Sequence, residues 1–400
     1  MQHRHVLYLI SWLATVCAGL SATLFSVYLP SIVADINGTA TPQGIARTGS
    51  YAGAAFLLGW AVGGVFLGAM GDRIGRKRAL LISTLACTLG MGLTGFVVSL
   101  PDLVILRAMT GAGAGGILLI TAVLVSEAWA NSTNRARMVG ILINAFPVGF
   151  ILSGAFQVLT PDFRTAYLFA GITVAVAVAV QIVVKESDLW SQRDRERRTT
   201  ASVWHSAHRR DLVVGLMLFG SMLVGLWAAY TWMPTWVSSI STPDQQRTAR
   251  SITISLLGVG AILGGIISGT VSNIVGRRKA AAIGYLGAFG MSCALFLQPQ
   301  AQPSIMFGMT LVLSLFIGFN QGVLTGYIPE LFPTLVRASA TGISFNVGRL
   351  VTAVTVFFVG VLVTVLGGYD KAIFTFAFAY VVGFFTLFSA RETKGQALPD

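Results

Sequence analysis

Four hundred residues, 54% hydrophobic and only 10% charged, exclude an ordinary soluble enzyme, whose chain carries about 25% charged residues. The 45 glycines sit inside apolar stretches, where they let helix backbones approach closely. An all-α, polytopic membrane protein is expected. An excess of 27 basic over 15 acidic residues would suggest nucleic acid in a soluble chain. In a membrane protein the side on which the bases fall matters more, and no nucleic-acid partner is expected.

A helix needs roughly 20 apolar residues to cross the hydrocarbon core. The first such span, 7–33, carries Cys17, Ser21 and Pro30. It overruns signal-peptide length without a clean cleavage site, so a removed leader is not expected. Span two (48–70) runs into the basic loop Asp72-Arg73-Ile-Gly75-Arg76-Lys77-Arg78, and span three covers 79–99. Span four (103–129) has Arg107 one turn in and Glu127 at its end, with Arg135 eight residues on. Spans five and six cover 138–159, with Asn144, and 165–184. The polar segment 185–211, centred on Arg193 to Arg198, then divides the chain. It reads as a solvated linker that also touches anionic lipid.

Span seven (212–240) crowds Trp227, Tyr230, Trp232 and Trp236. The last two are assigned to an interfacial aromatic belt; the first two are deep enough to stack on a planar ligand. Spans eight (250–271) and nine (280–297) flank a second basic loop, Arg277-Arg278-Lys279. Span ten (304–329) holds Asn320 and Gln321 mid-way, and Glu330 follows it. Arg337 precedes span eleven (339–366), which contains Asn346 and Arg349; span twelve covers 372–390, and 391–400 form a tail. With the amino terminus placed inside, inner segments hold 20 Lys and Arg and outer segments 5, while Arg107 and Arg349 lie within spans. Both termini are therefore expected in the cytoplasm of a plasma (bacterial inner) membrane.

The two halves repeat. Residues 63–78 align with 264–279 at an offset of 201, pairing Asp72 with Asn273 and Gly75-Arg76 with Gly276-Arg277. Glu127…Arg135 recurs as Glu330…Arg337. The expected domains are a six-helix half over 1–184, a cytoplasmic linker over 185–211, a second six-helix half over 212–390 and the tail. Two parallel repeats around a midplane cavity is transporter architecture.

At these residues the sequence resembles the major facilitator superfamily. The loop Gly68-Ala-Met-Gly-Asp72-Arg73-Ile-Gly75-Arg76-Lys77-Arg78 is similar to the signature between its helices two and three. Arg107-Ala-Met-Thr-Gly111, Ser126-Glu127, Pro329-Glu330-Leu-Phe-Pro333, Gly348-Arg349 and Glu392-Thr-Lys-Gly395 resemble the sugar porter and metabolite:proton symporter branches. These include aromatic-acid, niacin-type, sialic-acid and organic-ion carriers. The resemblance implies a twelve-helix secondary carrier in which Asp72 gates the cytoplasmic side. It also implies proton coupling through a carboxylate in span one, where this chain has Ser21. The spans hold no mid-membrane Asp or Glu, and all four histidines lie in cytoplasmic segments, so the coupling ion stays open.

Gating roles are expected for Asp72, Arg73, Arg76, Glu127, Arg135, Glu330 and Arg337. Asp72 would face the positive amino-terminal end of span eleven, near 338–341. The two Glu…Arg pairs would form networks that break as the cavity opens, in preference to plain interfacial ion pairs. Candidate substrate contacts are Ser21, Arg107, Asn144, Trp227, Tyr230, Asn320, Gln321 and Arg349. Arg107 either snorkels to the interface or meets an anionic cargo; Arg349 either bonds helix carbonyls or does the same. No catalytic set, phosphate loop, metal cluster or cofactor motif is present, and no enzyme activity is expected. Cys17, Cys87 and Cys293 read as packing residues. The expected function is secondary active or facilitative transport of a small polar metabolite, foremost an organic anion, by a monomer in the bilayer. The alternatives are a multidrug or sugar carrier of the same fold, or a non-transporting sensor.

Overall fold

The computed structural model describes residues 2–129, 135–186, 208–297, 303–333 and 336–395. These residues form helices and short connections, with twelve helices long and apolar enough to cross a membrane. In chain order, α1 is Gln2–Asn37, α2 Pro42–Ile74, α3 Arg76–Leu93 and α4 Leu100–Ala128. α5 is split into Arg135–Ile143 and Val148–Leu159, and α6 into Phe163–Gly171 and Val174–Val183. α7 is Arg209–Ser239, α8 Gln246–Val275, α9 Arg277–Phe296 and α10 Pro303–Glu330. α11 is Arg337–Leu366 and α12 Tyr369–Thr386. The face that carries both chain termini is called terminal below, and its opposite distal.

Local chemistry sets the ends. Thr41 accepts from the Gly44 amide at 3.1 Å ahead of Pro42, and Asp162 accepts from the Thr165 amide at 2.8 Å to open α6. Each satisfies an amide that a first turn leaves unpaired. Gly75 and Gly276 make the sharp corners from α2 to α3 and α8 to α9 at φ of 104° and 98°, a conformation glycine takes without steric cost. Inside each half, glycines seat one helix directly on another. Gly63 abuts the Ala112 backbone between α2 and α4, and Gly264 abuts that of Leu315 between α8 and α10.

Two of the expected spans carry an interruption, and one sequence expectation needs revision. Span five is not continuous, because Pro147 cannot donate to the helix ladder and the chain turns over 144–147. Span six breaks over Ile172–Thr173. Trp232 is not in an interfacial belt: it is fully buried, stacked on Tyr369 with centroids 5.7 Å apart and pressed against Gly49 of α2. The charge run Arg193 to Arg198 and most of the linker lie outside the described residues.

The seam between the halves is closed distally. Ser50 accepts from the Gly360 amide at 2.7 Å, Tyr369 donates to the Pro42 carbonyl at 3.0 Å, and Ser251 donates to that of Gly154 at 2.7 Å. The seam opens toward the terminal face. Gly265 of α8 packs against Asn144 of α5, yet Gly140 and Gly269, one turn nearer that face, both look into open space. The two helices part just below Asn144.

Candidate functional site

The opening narrows to a cluster of rings. Trp60 of α2 meets Trp227 of α7 at 5.7 Å, Phe146 at 5.5 Å and Phe56 at 5.6 Å. Phe146 leads to Phe150 at 5.4 Å, and Phe150 to Tyr230 at 5.1 Å. Most contacts are edge-to-face, the favoured arrangement of aromatic quadrupoles. The cluster crosses from one half to the other and seals the distal side of the opening.

Arg349 lies against this seal. Its guanidinium carbon is 5.3 Å from the Trp60 ring centre and 5.8 Å from that of Phe219. Asn346, one turn away on α11, accepts from it at 3.4 Å. Among the described residues no carboxylate is paired with Arg349, and it keeps partial exposure. A cation that retains aromatic and amide neighbours but no acid is poised for an anion. Asn144 and Gln321 are likewise half-buried. Gln321 shares a face of α10 with Ser314, seven residues earlier, whose hydroxyl lies 3.1 Å from that of Tyr230 on α7. Arg349, Asn144 and Gln321 are thus partly exposed, whereas Trp227 and Tyr230 are buried within the ring cluster.

Arg107 and Asn320 lie elsewhere. Arg107 is 3% exposed, donates to the Ser21 carbonyl at 2.8 Å, and sits 4.6 Å and 4.2 Å from the rings of Phe25 and Phe56. The Ser21 hydroxyl donates to the Ala18 carbonyl at 2.8 Å. Asn320 is wholly buried against Gly284 and beside Tyr285 of α9. These three residues pack inside their own halves. A separate recess of about 770 Å³ on the distal face, bordered by Trp236, Phe296 and Tyr369, contains none of the candidates.

At the terminal face the two basic loops are built alike. Arg76 meets Asp72 at 2.8 Å and Glu127 at 3.7 Å; Arg277 meets Asn273 at 2.6 Å and Glu330 at 3.1 Å. Each Glu turns back to its loop arginine, a partner the spacing to Arg135 and Arg337 did not suggest. Arg73 is exposed on the last turn of α2, Arg135 is exposed where α5 begins, and Arg337 donates to the Phe332 carbonyl at 3.1 Å. Sequence reasoning missed a second carboxylate in each loop. Glu186 accepts from the Arg76 amide at 2.7 Å, and Glu392 accepts from the amides of Arg277 and Arg278 at 2.8 and 3.1 Å. Each caps the positive end of the third helix of its half. The signal was available: Glu186 and Glu392 both follow the last helix of a half. Partial burial pushes the Glu392 carboxyl up, but the backbone amides of Lys394, Arg277, Arg278 and Thr393 outweigh it and hold it below the usual range.

The chain is similar to carriers over most of its length. It is 27% identical to the "Probable 4-methylmuconolactone transporter" of Cupriavidus pinatubonensis, over 94% of this chain and 88% of that one. It is 28% identical to the "Cis,cis-muconate transport protein" of Acinetobacter baylyi, over 89% and 87%. Its fold is similar to an inward-open structure of the xylose transporter XylE from E. coli, with a TM-score of 0.78, 17% identity and coverage of 99% and 98%. The family model of the Major Facilitator Superfamily matches residues 11–356, and the chain belongs to that superfamily: it is a multi-pass membrane transporter and not an enzyme.

Proposed function

We propose that this protein carries a small planar organic anion across the membrane by alternating access, with Arg349 as the group that holds the cargo's carboxylate. The observation that supports this reading is Arg349 itself, without a paired carboxylate among the described residues, at the narrow end of an opening walled by Trp60 and Phe219. Aromatic walls suit a flat, conjugated carbon skeleton, and two relatives carry names of that chemistry. Asn346, Gln321 and Asn144 supply amides along the opening, and Trp227 and Tyr230 close its far side. Ser21, Arg107 and Asn320 support the walls from behind.

In this reading the terminal face is cytoplasmic in a bacterial inner membrane, since 20 of the Lys and Arg residues fall on that side. Residues 1–184 and 212–390 are the two moving halves, joined by 185–211, and the protein works as a monomer. Asp72, Arg73, Arg76, Glu127, Arg135, Glu330 and Arg337 form the terminal gate.

The test is binding and uptake of cis,cis-muconate and its neutral dimethyl ester in proteoliposomes. Arg349→Gln is expected to weaken muconate binding by about 1.5–3 kcal/mol, the scale of a charge-assisted hydrogen bond. The ester should lose far less. Equal losses for both ligands would assign Arg349 to structure.

A further inference from the structure

A second pair of arginines sits on the distal seam. Arg247 and Arg250 lie three residues apart in the first turns of α8, and so on one face of it. Arg247 reaches across to the other half, donating to the carbonyls of Gln157 and Val158 at 2.6 and 2.5 Å. These carbonyls belong to the last turn of α5, the negative end of that helix. Arg250 is 9% exposed; among the described residues its one hydrogen bond, to the Ser238 hydroxyl, is long at 3.4 Å, and its Nε has no partner. Among the described residues neither arginine forms an ion pair.

This placement is costly. Two cations stand at a helix amino terminus, where the dipole is positive, and one is nearly enclosed with an unused donor. A latch alone needs only Arg247. The enclosed, underbonded Arg250 behind it is explained by a ligand that arrives when the latch releases. Parting the distal ends of α5 and α8 would release Arg247 from its carbonyls beside the underbonded Arg250, and the two forks match a carboxylate.

We propose that Arg247 and Arg250 form a carboxylate-docking site at the distal entrance, masked by the α5 carbonyls while the gate is shut. An incoming carboxylate competes with those carbonyls for Arg247, so docking opens the gate. The proposal extends the organic-anion reading, but it concerns a different site from Arg349 and fails separately.

The experiment measures the distance between spin labels on Leu159→Cys and Ile240→Cys, at the distal ends of α5 and α7, in the full-length protein with Cys293→Ser. The probes are acetate, benzoate and cis,cis-muconate, with muconate dimethyl ester as the uncharged control. Muconate is expected to lengthen the distance in the parent while the ester does not. Arg250→Gln should raise the muconate concentration needed by about tenfold, as expected for one charged hydrogen bond, with Arg250→Lys in between. Arg349→Gln should leave the distal response to acetate unchanged. If no carboxylate opens the parent, or Arg250→Gln responds at the parent's concentrations, the docking site does not exist. If Arg349→Gln abolishes the response to every probe, opening is driven from the central site and the proposal is equally overturned. Muconate binding that is the same in Arg349→Gln as in the parent, with the acetate response intact, would instead remove the cargo reading and leave this one standing.

Discussion

Arg107 and Ser21 are joined through the backbone: the guanidinium donates to the Ser21 carbonyl at 2.8 Å, and the Ser21 side chain takes no part in that bond. Helix α4 is thereby pinned to mid-α1, with the rings of Phe25 and Phe56 4.6 and 4.2 Å from the charge. Removing the guanidinium leaves a buried carbonyl short of its donor. Arg107→Gln is expected to destabilise the protein by about 1.5–3 kcal/mol, seen as a lower melting temperature in detergent. Affinity for muconate and its dimethyl ester should change equally. A selective loss for muconate at unchanged melting temperature would place Arg107 in the binding site.

Asp72 is half exposed and holds Arg76 at 2.8 Å, while Arg76 also reaches Glu127. Asp72→Asn removes one of the two carboxylates that fix this arginine. The attraction expected between the Asp72 charge and the positive start of α11 when the terminal side is shut is lost as well, so the gate should close less readily, favouring the arrangement in which Gly140 and Gly269 look into open space. A cysteine introduced by Gly140→Cys reports on it. Labelling by a membrane-impermeant thiol reagent from the terminal side should be faster in Asp72→Asn. Identical rates with and without the substitution would remove Asp72 from the gate.

The twelve spans and the paired loops were legible because lipid imposes length and hydropathy on every crossing. The 201-residue offset between Gly75-Arg76 and Gly276-Arg277 also survives as near-identical corners in space. What the sequence hid is which face of a helix a residue occupies. Asn320 and Gln321 are neighbours in the chain, yet one is wholly buried on α9 and the other keeps partial exposure. Trp60 and Phe219 carry no signal beyond hydrophobicity, so their place beside Arg349 emerges only when α2, α7 and α11 are assembled. Pro147 breaks α5 inside an apolar run because its nitrogen cannot donate to the helix ladder.

Glu392 ties the tail to the start of α9 through the backbone amides of Arg277 and Arg278, and these, with the tail's own amides of Thr393 and Lys394, hold its carboxyl below the usual range. A carboxyl with a depressed folded value stabilises the fold above its unfolded value of about 4.3. That stabilisation is lost as pH falls through the lower folded value. The terminal face of the second half should therefore loosen below about pH 4. Glu392→Gln is expected to lower the melting temperature at neutral pH and to flatten its decline in acid. An unchanged acid branch would mean that other carboxylates govern it.

Coupling is where this chain departs most from the symporter pattern. A proton-coupled carrier needs a group near mid-membrane that changes charge during the cycle. Every described Asp and Glu stands at a helix end or in a connection. Arg349 and Arg107 remain protonated throughout. Ser21 occupies the position at which a carboxylate would pair with Arg107, and its hydroxyl is already spent on the Ala18 carbonyl. Uptake is therefore expected to follow the cargo gradient and the membrane potential, with little response to a pH gradient beyond protonation of the cargo itself. Ser21→Asp supplies the missing group: its carboxylate would face Arg107 and titrate within the membrane, and uptake should gain a dependence on the pH gradient. Both are measured in vesicles by counterflow, first without a gradient and then with one imposed. Strong accumulation of a permanently charged cargo by the parent, driven by the pH gradient alone, would show that protons travel through Glu127, Glu330 or a chain of waters.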